Sequence, residues 1–114
     1  MSTHTDGNEY IDLNDALKRL GGNINLYKQL LKRFDGNSYI TSIVEALQTG
    51  DKTKAAHSAH ALKGVSGNLA FGKLKLLSFE LEKIIESGAD YTACLADMKD
   101  ALRATDEHIA EIIG

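Results

Sequence analysis

Ala56, His60, Lys63, Gly64 and Gly67 fall on one stripe if residues 55–72 are wound as a helix of 3.6 residues per turn. That stripe carries a nucleophilic imidazole, an ammonium group one turn further on, and almost no other side-chain bulk. Each glycine inside a helix costs about 1 kcal/mol against alanine. Two of them beside one histidine therefore serve access and not stability. A bare surface around an imidazole lets another protein lower its own active site onto the ring. The chemistry this permits is nucleophilic: a ring nitrogen attacks a group that a partner carries.

The helix that holds this stripe needs an opposite face to pack, and it has one. Ala55, Ala59, Leu62, Ser66 and Leu69 form a small, apolar row suited to a close-packed interior. The remaining segments supply neighbours. Asp12 is placed to cap a first short helix with the stripe Leu13, Ala16, Leu17 and Leu20, ended by Gly21-Gly22. Asn23 caps a second, whose inward positions are Tyr27, Leu30, Leu31 and Phe34. Asp35-Gly36-Asn37 reads as a turn. In the third segment Ile-Thr-Ser-Ile-Val favours a strand locally, but Ile40, Ile43, Val44 and Leu47 recur at helical spacing over the longer window. Gly50 stops that helix and Asp51 caps the histidine helix, which runs to about Leu69. A break around Gly72 follows. Leu74, Leu77, Leu81, Ile84 and Ile85 then define a fifth helix, stopped by Gly88. Asp90 is placed to cap a last, long helix with the stripe Tyr91, Leu95, Met98, Leu102, Ile109 and Ile112, and Cys94 beside it. The absence of proline leaves nothing to kink these helices. The expected fold is all-α: an antiparallel up-down four-helix bundle with two short N-terminal helices packed on it. Residues 10–114 form the domain, and residues 1–9, polar and aperiodic, form a flexible tail with an idle His4.

Ala59-His60-Ala61-Leu62-Lys63-Gly64 resembles the A-H-x-L-K-G signature of histidine-containing phosphotransfer (HPt) domains, the intermediate carriers of bacterial multistep phosphorelays. The stretch from Ile11 to Phe34, with its Leu-Gly-Gly break and its Leu-Tyr and Leu-Leu pairs, is similar to the N-terminal pattern of that family. The likeness runs from about Ile11 to the C-terminus. It departs at Ala70, ten positions after the histidine, where the family pattern has a small residue that is often glycine.

The resemblance implies that His60 accepts a phosphoryl group at Nε2 from one receiver domain and gives it to another. The attacking nitrogen must be neutral and must reach solvent, and an ordinary imidazole, with a pKa of about 6.5, is mostly neutral near pH 7. After transfer, Lys63 would face the phosphoryl oxygens and offset their charge. Such a transfer asks mainly for positioning and charge stabilisation. The chain has no G-x-x-x-x-G-K-[ST] loop and no evident carboxylate cluster for Mg²⁺. The expected protein is a phosphocarrier with no kinase activity and no cofactor of its own, the Mg²⁺ residing on the partner. The expected partners are response-regulator receiver domains, with a hybrid sensor histidine kinase as a second candidate. Ala56, Gly64 and Gly67 would line the docking face.

Bulk properties narrow the alternatives. A chain of 114 residues makes one domain, and its 43% hydrophobic content suits a globular core. The net charge of −3 argues against nucleic acid, since Lys73 and Lys75 are too few to track a phosphate backbone. No apolar run approaches a membrane span, and no secretory h-region is visible. The single Cys94 fits a reducing compartment, so a cytoplasmic protein is expected, and the family resemblance with its complete-looking bundle implies a monomer. A free-standing protein and a domain cut from a hybrid kinase fit equally. His57 and His60 could share a metal, but no third ligand is spaced to join them, and no metal site is expected. The competing function is a helical-bundle interaction module that docks partners through the same helix without phosphoryl chemistry.

Overall fold

The computed structural model describes residues 9–114, and every regular element among them is a helix. These are α1 (Leu13–Arg19), α2 (Ile24–Arg33), α3 (Gly36–Gln48), α4 (Lys52–Asn68), α5 (Gly72–Ser87) and α6 (Thr92–Ile113). Most of the expected tail, His4 included, lies outside the described residues. Glu9 is helical and pairs with Lys73, Nζ to Oε1 3.6 Å.

Local chemistry starts the helices. The side chains of Asp12, Asn23, Asp35 and Asp51 each accept the backbone N–H three residues on, satisfying donors that have no partner within the helix. Asp35 therefore does more than make a turn: it caps α3, and Gly36 is the first residue of that helix. Gly36 is buried, and a Cβ there would collide with Leu102 Cδ1, so its bareness lets α3 and α6 approach. The last helix differs slightly from expectation. Tyr91 occupies the cap position, while Asp90 Oδ1 accepts the Thr92 N–H at 2.9 Å. That bond holds the Asp90 carboxyl below its ordinary pKa.

Packing follows the apolar stripes. The histidine helix α4 lies between α3 and α5. Helix α5 packs on α6, and α6 returns to touch α2 and α3. Helix α1 rests on α2. Ala55, Ala59, Leu62 and Ser66 of α4 are fully buried, facing a core that includes Ile43, Leu74, Leu81 and Met98. Each large aliphatic side chain so buried stabilises the fold by about 1.5–3 kcal/mol. Along α6, Thr105 fills the gap between Leu102 and Ile109. It is fully buried, and its hydroxyl donates to the Ala101 carbonyl at 2.7 Å.

The end of α4 is set by long-range contacts. The break expected around Gly72 turns on Ala70, the one non-glycine residue with positive φ (64°) among the described residues. The Phe71 N–H reaches the Ser66 carbonyl and the Ala70 N–H the Gly67 carbonyl, a Schellman closure with alanine in the position glycine usually takes. This gives a backbone reason for a small residue ten positions after the histidine. Gly72 itself begins α5. The closure is locked from outside: the Tyr27 hydroxyl donates to the Leu69 carbonyl at 2.7 Å, and the Asp12 N–H donates to the Ala70 carbonyl at 3.0 Å.

Candidate functional site

His60 stands on the outer face of α4, its side chain 60% exposed. The fully buried Ala59 and Leu62 on the opposite face hold the helix down, so the imidazole is presented on a rigid support. Its Nδ1 lies 3.1 and 3.2 Å from the two carboxylate oxygens of Glu82, which comes across from α5 and is only 17% exposed. A carboxylate accepts only, so Nδ1 carries the proton in this pair. Nε2 is then the lone-pair nitrogen, and it has no hydrogen-bond partner among the described residues.

Lys63, one turn beyond His60, reaches the same carboxylate, Nζ to Glu82 Oε1 3.9 Å. Its ammonium also lies 5.2 Å from the centroid of the Phe79 ring, within range of a cation–π attraction. The site is therefore an arrangement of α4 on α5: His60 and Lys63 from one helix, Glu82 and Phe79 from the other. It opens into a cleft of about 510 Å³ whose walls include Lys52, Ala56, His57, Glu82 and Glu86. No group of three or more His, Cys, Asp or Glu side chains is placed to hold a metal ion among the described residues.

The three small residues of the stripe occupy different surroundings. Gly64 is exposed, and a Cβ added there would meet nothing within 4 Å. Gly67 is half-buried beneath Lys75, whose Cδ would stand 3.4 Å from such a Cβ. A lysine stem from α5 thus covers it from within the molecule, where Gly64 is open. Ala56 is buried, and contributes to the cleft as wall and not as a protruding contact. Cys94 and Met98 lie away from the site. Burial, with Glu80 and Asp97 nearby, raises the Cys94 thiol pKa and keeps it protonated, while Met98 Sδ lies 3.7 Å from the buried Ser78 hydroxyl, which donates to the Leu74 carbonyl at 2.7 Å.

Glu82 and Phe79 went unrecognised in the sequence. Glu82 is 22 residues from His60 and sits beside the apolar stripe of α5, where glutamate reads as ordinary solvated charge. Only the packing of α5 on α4 turns it inward to the ring. Gly67 likewise gives no sequence sign that Lys75 covers it.

Among the described residues no helix is long and apolar enough to cross a membrane. No curated protein and no solved structure matches the chain. The family model for the Hpt domain matches residues 33–112, which takes in α3 to α6 and the whole of the His60–Glu82–Lys63 arrangement, and leaves out most of the N-terminal segment that also resembles the family. Hpt domains are phosphocarriers of phosphorelay signalling, and with that match across most of its length, beside an exposed histidine held on a rigid helix, this chain belongs to the Hpt domain family.

Proposed function

We propose that His60 is the phosphoacceptor, taking a phosphoryl group from the aspartyl phosphate of one receiver domain and passing it to the aspartate of another. The observation that carries this reading is the exposed imidazole whose Nδ1 is held by Glu82 at 3.1 Å, leaving Nε2 free to attack. In the first transfer the O–P bond of the aspartyl phosphate breaks, and its electron pair leaves on the aspartate carboxylate. The N–P bond forms at Nε2. The ring becomes positively charged, and the Nδ1–H bond to Glu82 strengthens as it does so. Lys63 faces the arriving oxygens. In the second transfer the N–P bond breaks, and its pair returns to Nε2.

The protein supplies a nucleophile, its orientation and two charges, and Mg²⁺ belongs to the receiver. No kinase activity of its own is needed. The open face at Gly64 and the cleft walled by Ala56 admit the partner. Helices α3 to α6, each packed on its sequence neighbour with α6 touching α3, are read as an antiparallel up-down bundle, with α1 and α2 as the two short helices added to it. Residues 10–114 then act as one monomeric, cytoplasmic domain.

The test is label transfer from a phosphorylated, Mg²⁺-loaded receiver domain to the wild type and to His60→Gln. Acid-labile, alkali-stable label on the wild type alone is the expected result. Equal labelling of His60→Gln would overturn the assignment and turn attention to His57. A variant that binds receivers and signals as before without being labelled would make the protein an interaction module.

A further inference from the structure

Resting on the reading of His60 as phosphoacceptor, we propose that the face of α5 beside His60 selects the partner: Leu76 and Phe79, bordered by Lys63, Lys75 and Lys83, form a seat for an apolar side chain of the receiver domain ringed by that domain's carboxylates.

The apolar demand of α5 on the core is met by Leu74, Leu77, Leu81 and Ile85, all buried. Leu76 and Phe79 are not needed for it and remain 51% and 42% exposed. Single exposed apolar side chains are common and explain nothing. These two, however, are one helical turn apart and line the same hollow of about 380 Å³, together with Lys63, Gly72 and Lys75. The hollow joins the chemical site directly, because Lys63 belongs to both. Its ammonium lies 3.9 Å from Glu82 Oε1 on one side and 5.2 Å from the Phe79 centroid on the other.

Charge identifies the occupant. The chain as a whole carries −3, yet three ammonium groups gather around this hollow. Lys83 stands 4.9 Å from the Phe79 centroid, and Lys75 runs over Gly67 and into the lining. An apolar centre with a basic border fits an apolar contact with an acidic border. A second copy of this acidic chain would bring the same three lysines against themselves across a two-fold contact. An interface of ordinary size covers about 800 Å² on each partner. A receiver centred on His60 therefore extends across α4 onto this part of α5.

Two variants of the full chain test the proposal: Leu76→Ser, and the charge reversal Lys75→Glu with Lys83→Glu. Both change exposed side chains and leave His60, Glu82 and Lys63 in place. Labelling by phosphoramidate, a small phosphodonor that needs no docking, reads the histidine chemistry. Transfer from a set of acetyl-phosphate-loaded, Mg²⁺-bound receiver domains reads the partner step. The expected result is phosphoramidate labelling within about twofold of wild type. With the receiver that serves the wild type best, the half-saturating concentration rises by about tenfold for the charge reversal, with a weaker salt dependence. Leu76→Ser gives a smaller rise in the same direction. Unchanged half-saturation in both variants would overturn the seat, and so would equal loss of phosphoramidate labelling, which would place the damage at the histidine. A wild type that is dimeric in solution and made monomeric by Leu76→Ser would show a second copy in the seat and overturn it too. Equal phosphoramidate labelling of His60→Gln, or no transfer to the wild type from any receiver, would bring down the phosphoacceptor reading itself.

Discussion

Removing the Glu82 carboxylate should slow phosphorylation of His60, and the size of the effect depends on what replaces it. The bond from Nδ1 runs 3.1–3.2 Å to both carboxylate oxygens, and Glu82 is mostly shielded while the ring is 60% exposed. A hydrogen bond to a charged group contributes about 1.5–3 kcal/mol in general. Solvent takes over part of that for so open a ring, leaving about 1–1.5 kcal/mol. Glu82→Ala should therefore slow the rate by about five- to thirteenfold. Glu82→Gln keeps an acceptor for the Nδ1 proton and loses only the charge, so its cost should stay within about threefold. Lys63, released from its 3.9 Å contact with Glu82, could turn further toward the phosphoryl group, but at that distance the restraint removed is weak and does not offset the lost bond. The assay needs no partner: the rate of phosphoramidate labelling, with ¹⁵N spectra of the imidazole reading its tautomer. Wild type and Glu82→Gln should hold the proton on Nδ1, and Glu82→Ala should show a mixture. A Glu82→Ala protein that labels at the wild-type rate would refute the role given to Glu82. A Glu82→Gln protein as slow as Glu82→Ala, with the tautomer intact, would show that charge and not proton placement matters.

Two further expectations concern the helix that carries the site. Tyr27 is buried with its hydroxyl on the Leu69 carbonyl. Desolvation, helped by Asp12, raises its pKa from 10.0 to about 12. The protonated form is the one favoured by folding, so this stability is fully present below pH 10 and is lost as pH rises through about 12. Tyr27→Phe should cost about 1–2 kcal/mol at neutral pH by orphaning the carbonyl, lower Tm by an amount on the order of 5 °C, and flatten the alkaline decline seen in urea titrations. A variant with the same alkaline decline as wild type would place its origin elsewhere. Both glycines of α4 should accept alanine. Gly64→Ala adds a methyl group to open space, and Gly67→Ala adds one in ordinary contact with the Lys75 stem at 3.4 Å, so each should stabilise the helix by up to about 1 kcal/mol. A bulky residue at 64 should leave the helix folded but slow transfer from a receiver, and unchanged transfer would mean that partners approach elsewhere.

What could be read from the residues alone is what depends on neighbours along the chain. Asp12, Asn23 and Asp51 cap helices because a short polar side chain reaches an N–H three residues on, whatever lies beyond. The stripe through Ala55, Ala59, Leu62 and Ser66 is buried because helical periodicity leaves it no other choice beside a polar face. The motif around His60 belongs to the same class of information. Contacts between helices have no such local record. Glu82 meets His60 across a gap of 22 residues, Lys75 crosses onto Gly67, and Phe79 comes beneath Lys63, all because α5 packs on α4 in one register. Ala70 takes a left-handed conformation that its own side chain disfavours by about 1–2 kcal/mol, and it stays there because Tyr27, Asp12 and the buried Phe71 close the end of the helix around it. The residue proposed as nucleophile is thus named by the sequence. Which of its nitrogens is free to attack, and what surrounds it when a partner arrives, is decided by how two helices meet, since that geometry depends on side chains far apart in the chain filling one shared core.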